Sequence, residues 1–379
     1  MSPMLHNGPL ARSLTALILG VMLWAHSIPI NGSQAATPGD PVVLAHYYIW
    51  FEATSWDRAK IDYPATGRYT SDQASIMREH VRLAKSVGIE GFIVSWKSTE
   101  VLDPRLETLI TIASEEHFKL AITYQGLDFN RDPLPPARVG DDLDLFVERY
   151  ADNPVFQIFD KPLIAWSGTW EYTTDDIAAV VSGRASRVLI VATEKNVEDY
   201  ERIADLVDGN LYYWSSVNAE TFPGYPGKLI EMGNAVRAHG GLWIAPVAPG
   251  FDAHLLGGET TVERQDGDTL REEWAGAMAS VPDAIGIISW NEFSENTHIE
   301  PSHLYGSNAV ETIADLTGAP RPTAIDFDSS APEGTVAGSE SATLRILVLV
   351  ALAGLLIGSG FFARRRVGSP SDQPDHDGA

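Results

Sequence analysis

Gly88-Ile89-Glu90-Gly91-Phe92-Ile93-Val94-Ser95-Trp96 is a short apolar run entered through two glycines. Its centre, Phe92-Ile93-Val94, shows no alternation of apolar and polar residues, as a strand buried on both faces in a helix-covered parallel sheet requires. Leu189-Ile190-Val191 has the same character. Around these runs, from Pro41 to Thr317, one pattern repeats: a β-branched or aromatic run, a loop, then an amphipathic stretch. The strand candidates are Val42–Trp50, Gly91–Trp96, Lys119–Gln125, Pro162–Ser167, Arg187–Thr193, Asn210–Ser215, Leu242–Pro246 and Ile285–Trp290. Helical candidates cover 71–87, 104–117, 141–151, 174–182, 197–207, 226–239, 268–280 and 307–317. Caps are expected at Thr70 or Ser71, at Asp103-Pro104 and at Thr173 or Thr174. Eight βα units in about 280 residues imply an α/β fold, a single (β/α)8 TIM barrel over 37–318. The alternative, an open doubly wound sheet, more often carries a glycine-rich phosphate loop after its first strand, and His46-Tyr47-Tyr48-Ile49-Trp50-Phe51 is the opposite of that.

Of 379 residues, 44% are hydrophobic and 9% aromatic, enough for a sizeable core. Lys and Arg number 27 against 51 Asp and Glu, a net charge of −24 that repels phosphate backbones and argues against nucleic acid as partner. Cysteine is absent, which excludes disulfides, thiolate metal sites and a cysteine nucleophile. Outside the barrel the chain reads as membrane traffic. Residues 1–36 carry Arg12, the apolar stretch Leu14–Trp24 and a polar run ending Ser33-Gln34-Ala35-Ala36, the order of a cleavable signal peptide or, failing cleavage, an anchor. Residues 319–341 are rich in Pro, Ser, Thr, Ala and Gly and read as a flexible stalk. Residues 342–363 read as a transmembrane helix; from Ile346 on, 17 uncharged residues span about 26 Å at ~1.5 Å each. Arg364-Arg365-Arg366 then keep the tail, 364–379, in the cytoplasm and the barrel outside.

In such a barrel, chemistry sits at the C-terminal ends of the strands. In order these are His46, Tyr47, Tyr48 and Trp50; Trp96; Tyr124 and Gln125; Trp166 and Trp170; Glu194; Tyr213 and Trp214; Phe251 and Asp252; then Trp290, Asn291, Glu292 and Glu295. Each aromatic taken singly is explained by packing. Their recurrence at one rim, with carboxylates after the last strand, describes a sugar-binding cleft, because sugar rings offer apolar C–H faces to aromatic planes and hydroxyls to carboxylates and amides. The expected substrate-binding set is therefore His46, Tyr47, Tyr48, Trp50, Trp96, Gln125, Trp166, Tyr213, Trp214, Asp252 and Asn291. Glu292 and Glu295 are the candidate catalytic pair, since two nearby carboxylates suffice to break a glycosidic bond and their repulsion tends to keep one protonated. Acids drawn to a helix N-terminus are the plainer account of the same spacing. Glu194 is either the partner of Glu292 in a conventional pair or a salt-bridge residue for Lys195 or Arg202. His46, His254 and His298 lack metal-ligand spacing, so no metal and no cofactor is expected.

The stretch Ser289-Trp290-Asn291-Glu292-Phe293-Ser294-Glu295-Asn296-Thr297-His298-Ile299-Glu300-Pro301 resembles the Asn-Glu-Trp-His-Glu-Gly-Thr-Gln-Ile-Glu-Pro signature of glycoside hydrolase family 99, the endo-α-mannosidases. His46–Phe51, Gly88–Trp96 and Pro249-Gly250-Phe251-Asp252 followed by Arg264 and Trp274 fit the same family. The resemblance implies a retaining endo-glycosidase on an α-linked, mannan-like polysaccharide. Glu292 would deprotonate the sugar 2-hydroxyl, which attacks the anomeric carbon, and Glu295 would act as general acid and then base. Phe293-Ser294 stand where the family has Trp-His, Asn296 where it has Gly, and Thr123-Tyr124-Gln125 where it usually has Glu-Pro-Tyr. These differences fall in the expected substrate pocket. The endo-α-1,3-glucanase family shares the Ser-Trp-Asn-acid run and is the alternative, with a non-catalytic glycan-binding barrel as the rival of another class.

Overall fold

In a computed structural model of the protein, residues 40–322 are described, apart from 58–59, 129 and 218–221. Strands β1 (Val42–Tyr48), β2 (Gly91–Trp96), β3 (Lys119–Gln125), β4 (Leu163–Ser167), β5 (Leu189–Val191), β6 (Gly209–Leu211), β7 (Leu242–Val247) and β10 (Ala284–Ile287) form one eight-stranded parallel sheet in the order β5-β4-β3-β2-β1-β10-β7-β6. The ends of that order meet. Ala192, just past β5, bridges Asn210 of β6 in parallel, its N–H donating to the Gly209 carbonyl at 2.9 Å while Leu211 N–H donates back at 2.8 Å. The sheet is thus a nearly closed barrel, as the repeated βα pattern predicts.

The pleat divides the strand residues into two layers. Leu44, Ile93, Ala121, Ala165, Val191 and Ile244 fill the barrel interior, whereas Phe92, Val94, Ile122, Ile164, Ile190 and Ile285 face the helices. Both layers are closed to solvent, and each large apolar side chain so buried contributes roughly 1.5–3 kcal/mol. The helices that cover the barrel are α1 (Ala74–Ser86), α2 (Leu102–Glu116), α3 (Pro136–Arg149), α4 (Thr174–Val181), α5 (Val197–Glu201), α6 (Tyr225–Ala238), α7 (Asp268–Ala279) and α8 (Asn308–Thr317). In α1, Met77, His80, Val81 and Ala84 make the buried stripe, spaced at the three and four residues that one helix face demands. Gly88 ends that turn with φ of 85°, and a Cβ there would lie 2.5 Å from Thr317 Oγ1 of α8. Only glycine meets both conditions.

Several helix starts differ from the sequence reading. Ser71 does not cap α1, because its hydroxyl accepts the Phe51 N–H at 3.1 Å, and Gln73 occupies the cap position. Asp103 does not open α2; it accepts from Trp96 Nε1 at 3.0 Å, and Thr99 Oγ1 accepts the Leu102 N–H instead. Thr173 does cap α4, in a reciprocal box with Asp176. Pro136, at the first position of α3, starts that helix five residues before the expected 141. After Glu201, backbone bonds tighten to Ile203 N–H on Tyr200 and Leu206 N–H on Ile203, so α5 is much shorter than 197–207. An unanticipated antiparallel hairpin, β8 (Phe251–Asp252) with β9 (Thr261–Val262), projects between β7 and α7. Among the described residues no helix is long and apolar enough to cross a membrane. The expected signal peptide, the membrane helix at 342–363, the tail, and the stalk beyond 322 lie outside the described residues.

Candidate active site

The segment after β10 is folded onto itself and onto β1. Trp290 N–H donates to the His46 carbonyl at 2.8 Å, and Ser289 N–H to the Thr297 carbonyl at 2.8 Å. Ser289 Oγ accepts the Glu292 N–H at 2.8 Å. Asn291 is clamped to the last residue of β1, accepting the Tyr48 N–H at 2.9 Å and donating to its carbonyl at 3.0 Å. The fourth corner is Glu295, whose carbonyl accepts the Asp252 N–H of the hairpin at 2.8 Å. Both glutamates are consequently held by their backbones at the top of the barrel, each side chain only 1% exposed.

Their carboxylates are bonded very differently. Glu292 Oε1 accepts the Ser294 N–H at 2.8 Å, while Glu292 Oε2 and both oxygens of Glu295 accept no hydrogen bond of normal geometry from the described residues. Burial raises the pKa of Glu292, tempered by the Lys60 ammonium and by Ser294. Burial raises Glu295 well above the carboxylate range, and the charge of Glu292 raises it further; the Tyr213 phenol and the Arg131 guanidinium only partly oppose this. The pair is therefore asymmetric. Glu295 is the group that keeps a proton, and Glu292 the one that ionises first.

Facing the pair, the Tyr48 and Tyr213 hydroxyls lie 2.8 Å apart, and both feel the charge of Glu295 and Glu292. His46 packs edge-on against Tyr213 at 5.0 Å; its Nε2 has no partner among the described residues, and burial brings its pKa down to about 3, leaving it neutral. Gln125 donates to Ser95 Oγ at 2.7 Å and keeps its Oε1 unpaired. His46, Tyr48, Gln125 and Tyr213 fall at the interior positions of their strands. Buried polar atoms are almost always paired in folded proteins, so their concentration here with the glutamates marks where a polar ligand belongs.

The pleat takes other candidates elsewhere. Tyr47, Trp96 and Trp166 stand at the alternate strand positions and turn to the helix layer. Tyr47 bonds His80 Nδ1 at 3.0 Å, and Trp96 packs among Tyr124, Phe146 and Tyr150. Trp50 is buried against Tyr48, ring centres 4.3 Å apart. Trp214 is half-buried at the β6 exit beside Tyr212, Phe222 and Tyr225. Asp252 spends its carboxylate on His254, accepting the backbone N–H at 2.8 Å. Glu194 lies 3.5 Å from Arg202, the salt-bridge arrangement, with burial lifting its pKa to about 7. Among the described residues no group of three or more His, Cys, Asp or Glu is placed to hold a metal ion.

Residues 65–316 match the profile of glycosyl hydrolase family 71. The chain belongs to that family. It is 22% identical over 299 residues to a glycoprotein endo-alpha-1,2-mannosidase-like protein of Mus musculus, covering 70% of this chain and 65% of the relative. A glucan endo-1,3-alpha-glucosidase of Schizosaccharomyces pombe is 23% identical over 278 residues, 69% of this chain and 59% of that protein. The chain thus spans about two thirds or less of the length of these relatives. The structure of a GH99 endo-alpha-mannosidase from Bacteroides thetaiotaomicron superposes with a TM-score of 0.63 at 20% identity, over 74% of this chain and 98% of the other, which shows the same fold. Both families read from the sequence are represented.

Within this family 71 barrel, one departure from the family 99 signature has a conformational reason. Asn296 has φ of 55°, the left-handed region that glycine enters freely and asparagine better than most. Phe293 is buried and stacks on His298 at 3.9 Å, and Ser294 Oγ accepts from Lys60 Nζ at 2.5 Å. The sequence reading missed the groups that hold the segment from behind. His80 Nε2 lies 3.1 Å from Glu300 Oε1, Tyr69 donates to Glu300 Oε2 at 2.8 Å, and His298 Nε2 meets Asp62 at 3.1 Å. Lys60, Asp62 and Arg131 sit in loops without periodicity, and only Glu300 and His298, inside the motif, carried a signal.

Proposed function

We propose that this barrel is a retaining, endo-acting glycosidase of α-linked polysaccharides. The observation that carries the reading is the buried, unequal carboxylate pair: Glu295, raised by burial and by the charge of Glu292 more than Arg131 and Tyr213 lower it, holds the proton a leaving oxygen needs, and Glu292, eased by Lys60 and Ser294, is the base. In the route the motif implies, Glu292 takes the proton of the sugar 2-hydroxyl and the 2-oxygen displaces the leaving group, to which Glu295 gives its proton. Glu295 then deprotonates a water that opens the anhydro-sugar, and the 2-oxygen recovers a proton from Glu292. Two inversions give net retention. Tyr48, Tyr213, His46 and Gln125 would line the reacting sugar. An α-mannan is implied by the motif, and its 2-hydroxyl stands trans to the leaving oxygen as this route requires; an α-1,3-glucan, suggested by the name of the yeast relative, has that hydroxyl cis and would have to be cleaved by another route. The leader and apolar segment read in the sequence support display of the barrel outside a membrane, held by one C-terminal helix.

The full chain is assayed on α-mannan and α-1,3-glucan, then on a glycosyl fluoride of whichever sugar is cleaved. Glu295→Gln should lower turnover of the polysaccharide by about 10² or more and that of the fluoride far less, because fluoride departs unprotonated. Glu292→Gln should impair both. A stable covalent adduct of a 2-fluoro sugar on Glu292 or Glu194 would replace the anhydro-sugar route with a protein nucleophile, and no cleavage of any α-glycan would sink the reading.

A further inference from the structure

One side chain of α7 is not explained by packing. Leu270, Trp274 and Ala277 form the apolar face that the helix lays on the barrel, and Glu273 stands among them, fully buried. A carboxyl in such surroundings costs free energy that an apolar side chain of the same size would not. Burial pushes its pKa well above the carboxylate range, so it is held neutral. Its Oε2 accepts the Ala248 N–H at 2.5 Å, and its Oε1 meets no hydrogen-bond partner among the described residues. The donor accounts for the acceptor. β6 pairs with β7 only as far as Leu211 opposite Ile244, whereas β7 runs on to Val247, whose carbonyl still accepts the Ile288 N–H on the other edge at 2.8 Å. Successive N–H groups of a strand point to opposite edges, so that of Ala248 faces the side β6 has left. Glu273 supplies the acceptor that the sheet no longer offers, which a buried backbone donor needs.

Ala248 leads straight into the β8–β9 hairpin, and the hairpin bears on the reaction centre with both legs. Asp252 N–H of the first leg donates to the Glu295 carbonyl at 2.8 Å. Just past the second leg, Arg264 Nη2 donates to the Asn296 carbonyl at 2.8 Å. Between the legs Phe251, Ala253 and Val262 form a small buried cluster of their own. At Gly250 the legs approach so closely that a Cβ would lie 2.8 Å from both the Val262 carbonyl oxygen and Arg264 Cγ. Thr269 Oγ1, in the first turn of α7, donates to the Glu263 carbonyl at 2.6 Å. The hairpin is thus tied to α7 at both ends, by Thr269 after β9 and by Glu273 before β8, and it presses on the backbone that carries Glu295.

We propose that Glu273 is a positioning residue for proton delivery: by holding Ala248 it fixes the β8–β9 hairpin against the Glu295 backbone and so sets where that acid meets the leaving oxygen. The inference rests on the glycosidase reading above and adds a residue that lies outside the cleft. The test uses the full-length protein, the α-glycan it cleaves and the glycosyl fluoride of the same sugar, whose departure needs no proton. Glu273→Leu leaves the Ala248 N–H unmet and should lower kcat on the glycan by about tenfold or more, with KM within about twofold and the fluoride rate within about threefold, the pattern of Glu295→Gln in weaker form. Glu273→Gln keeps a neutral acceptor of the same length and should recover most of the loss. Glu273→Asp draws the acceptor back by about 1.5 Å and should give the same selective loss, so the test stands even if the leucine variant does not fold. Equal losses on glycan and fluoride, a fall in melting temperature with kcat unchanged, or a loss confined to KM would overturn the inference and leave the glycosidase reading standing. A native protein that cleaves no α-glycan would overturn both.

Discussion

Asp62→Asn is the sharpest test of how the segment carrying Glu292 and Glu295 is held. The Asp62 carboxylate, 2% exposed, accepts the Tyr63 N–H and the Leu304 N–H at 2.8 Å each and faces His298 Nε2 at 3.1 Å. Burial by itself would raise its pKa, but hydrogen bonds from His298, Ser302 and the Leu304 N–H outweigh burial and bring it to about 2. His298 is lowered to about 3, first by burial and then by the Arg264 charge, so it is neutral. Arg264 Nη2 lies 3.4 Å from His298 Nδ1 and can only donate, which places the imidazole proton on Nε2, toward Asp62. Asparagine keeps an oxygen for the two backbone donors but turns an NH2 against the Nε2–H. Changing the tautomer only moves the clash to Arg264. One stranded donor plus a lost charge-assisted bond comes to about 3 kcal/mol. Linkage gives a similar size, roughly 2.5 kcal/mol for a carboxyl moved from 3.8 to about 2. Because the folded pKa lies below the unfolded one, this stability is present above pH ~4 and lost as pH falls toward 2. Urea denaturation of the variant and the native protein should show that gap at pH 7 and its closure below pH 3. Asp62→Asn/His298→Phe, which removes the stranded donor and keeps a ring on Phe293, should lose less than the two single variants summed. A single-variant loss under about 0.5 kcal/mol, or a gap that does not change with pH, would refute the reasoning.

Trp96→Ala should cost about 3–5 kcal/mol in denaturation, since the indole is fully enclosed and donates to Asp103, with glycan affinity of the folded protein intact; the reverse pattern would put Trp96 in the cleft. The pH profile of kcat/KM should be a bell whose basic limb lies well above the ordinary carboxylate range, because the proposed route needs Glu295 protonated and activity would be lost as pH rises through its pKa. Lys60→Met, by removing a cation that favours ionised Glu292, should move the acidic limb upward; an unchanged limb would remove Lys60 from the account.

The residues of β2 and β3 were legible to the last position, because a strand buried on both faces is a continuous apolar run bounded by turn residues, and that is a local property of the chain. The same holds for the number of βα units and for the glutamates past the last strand, whose place at the mouth follows from the connectivity of a parallel barrel. What a linear reading of strand ends could not separate is inside from outside. His46, Tyr47 and Tyr48 are equally aromatic neighbours in sequence, yet the pleat sends His46 and Tyr48 into the barrel mouth and Tyr47 to the helices. Trp96 and Trp166 went the same way as Tyr47. Helix starts were misplaced where a hydroxyl or carboxylate had a better partner far along the chain, as Ser71 has in Phe51 and Asp103 in Trp96. The asymmetry of Glu292 and Glu295 was also beyond the sequence. It comes from Lys60, more than two hundred residues away in the chain, and from burial, and both exist only once the barrel has closed and brought its loops to one rim.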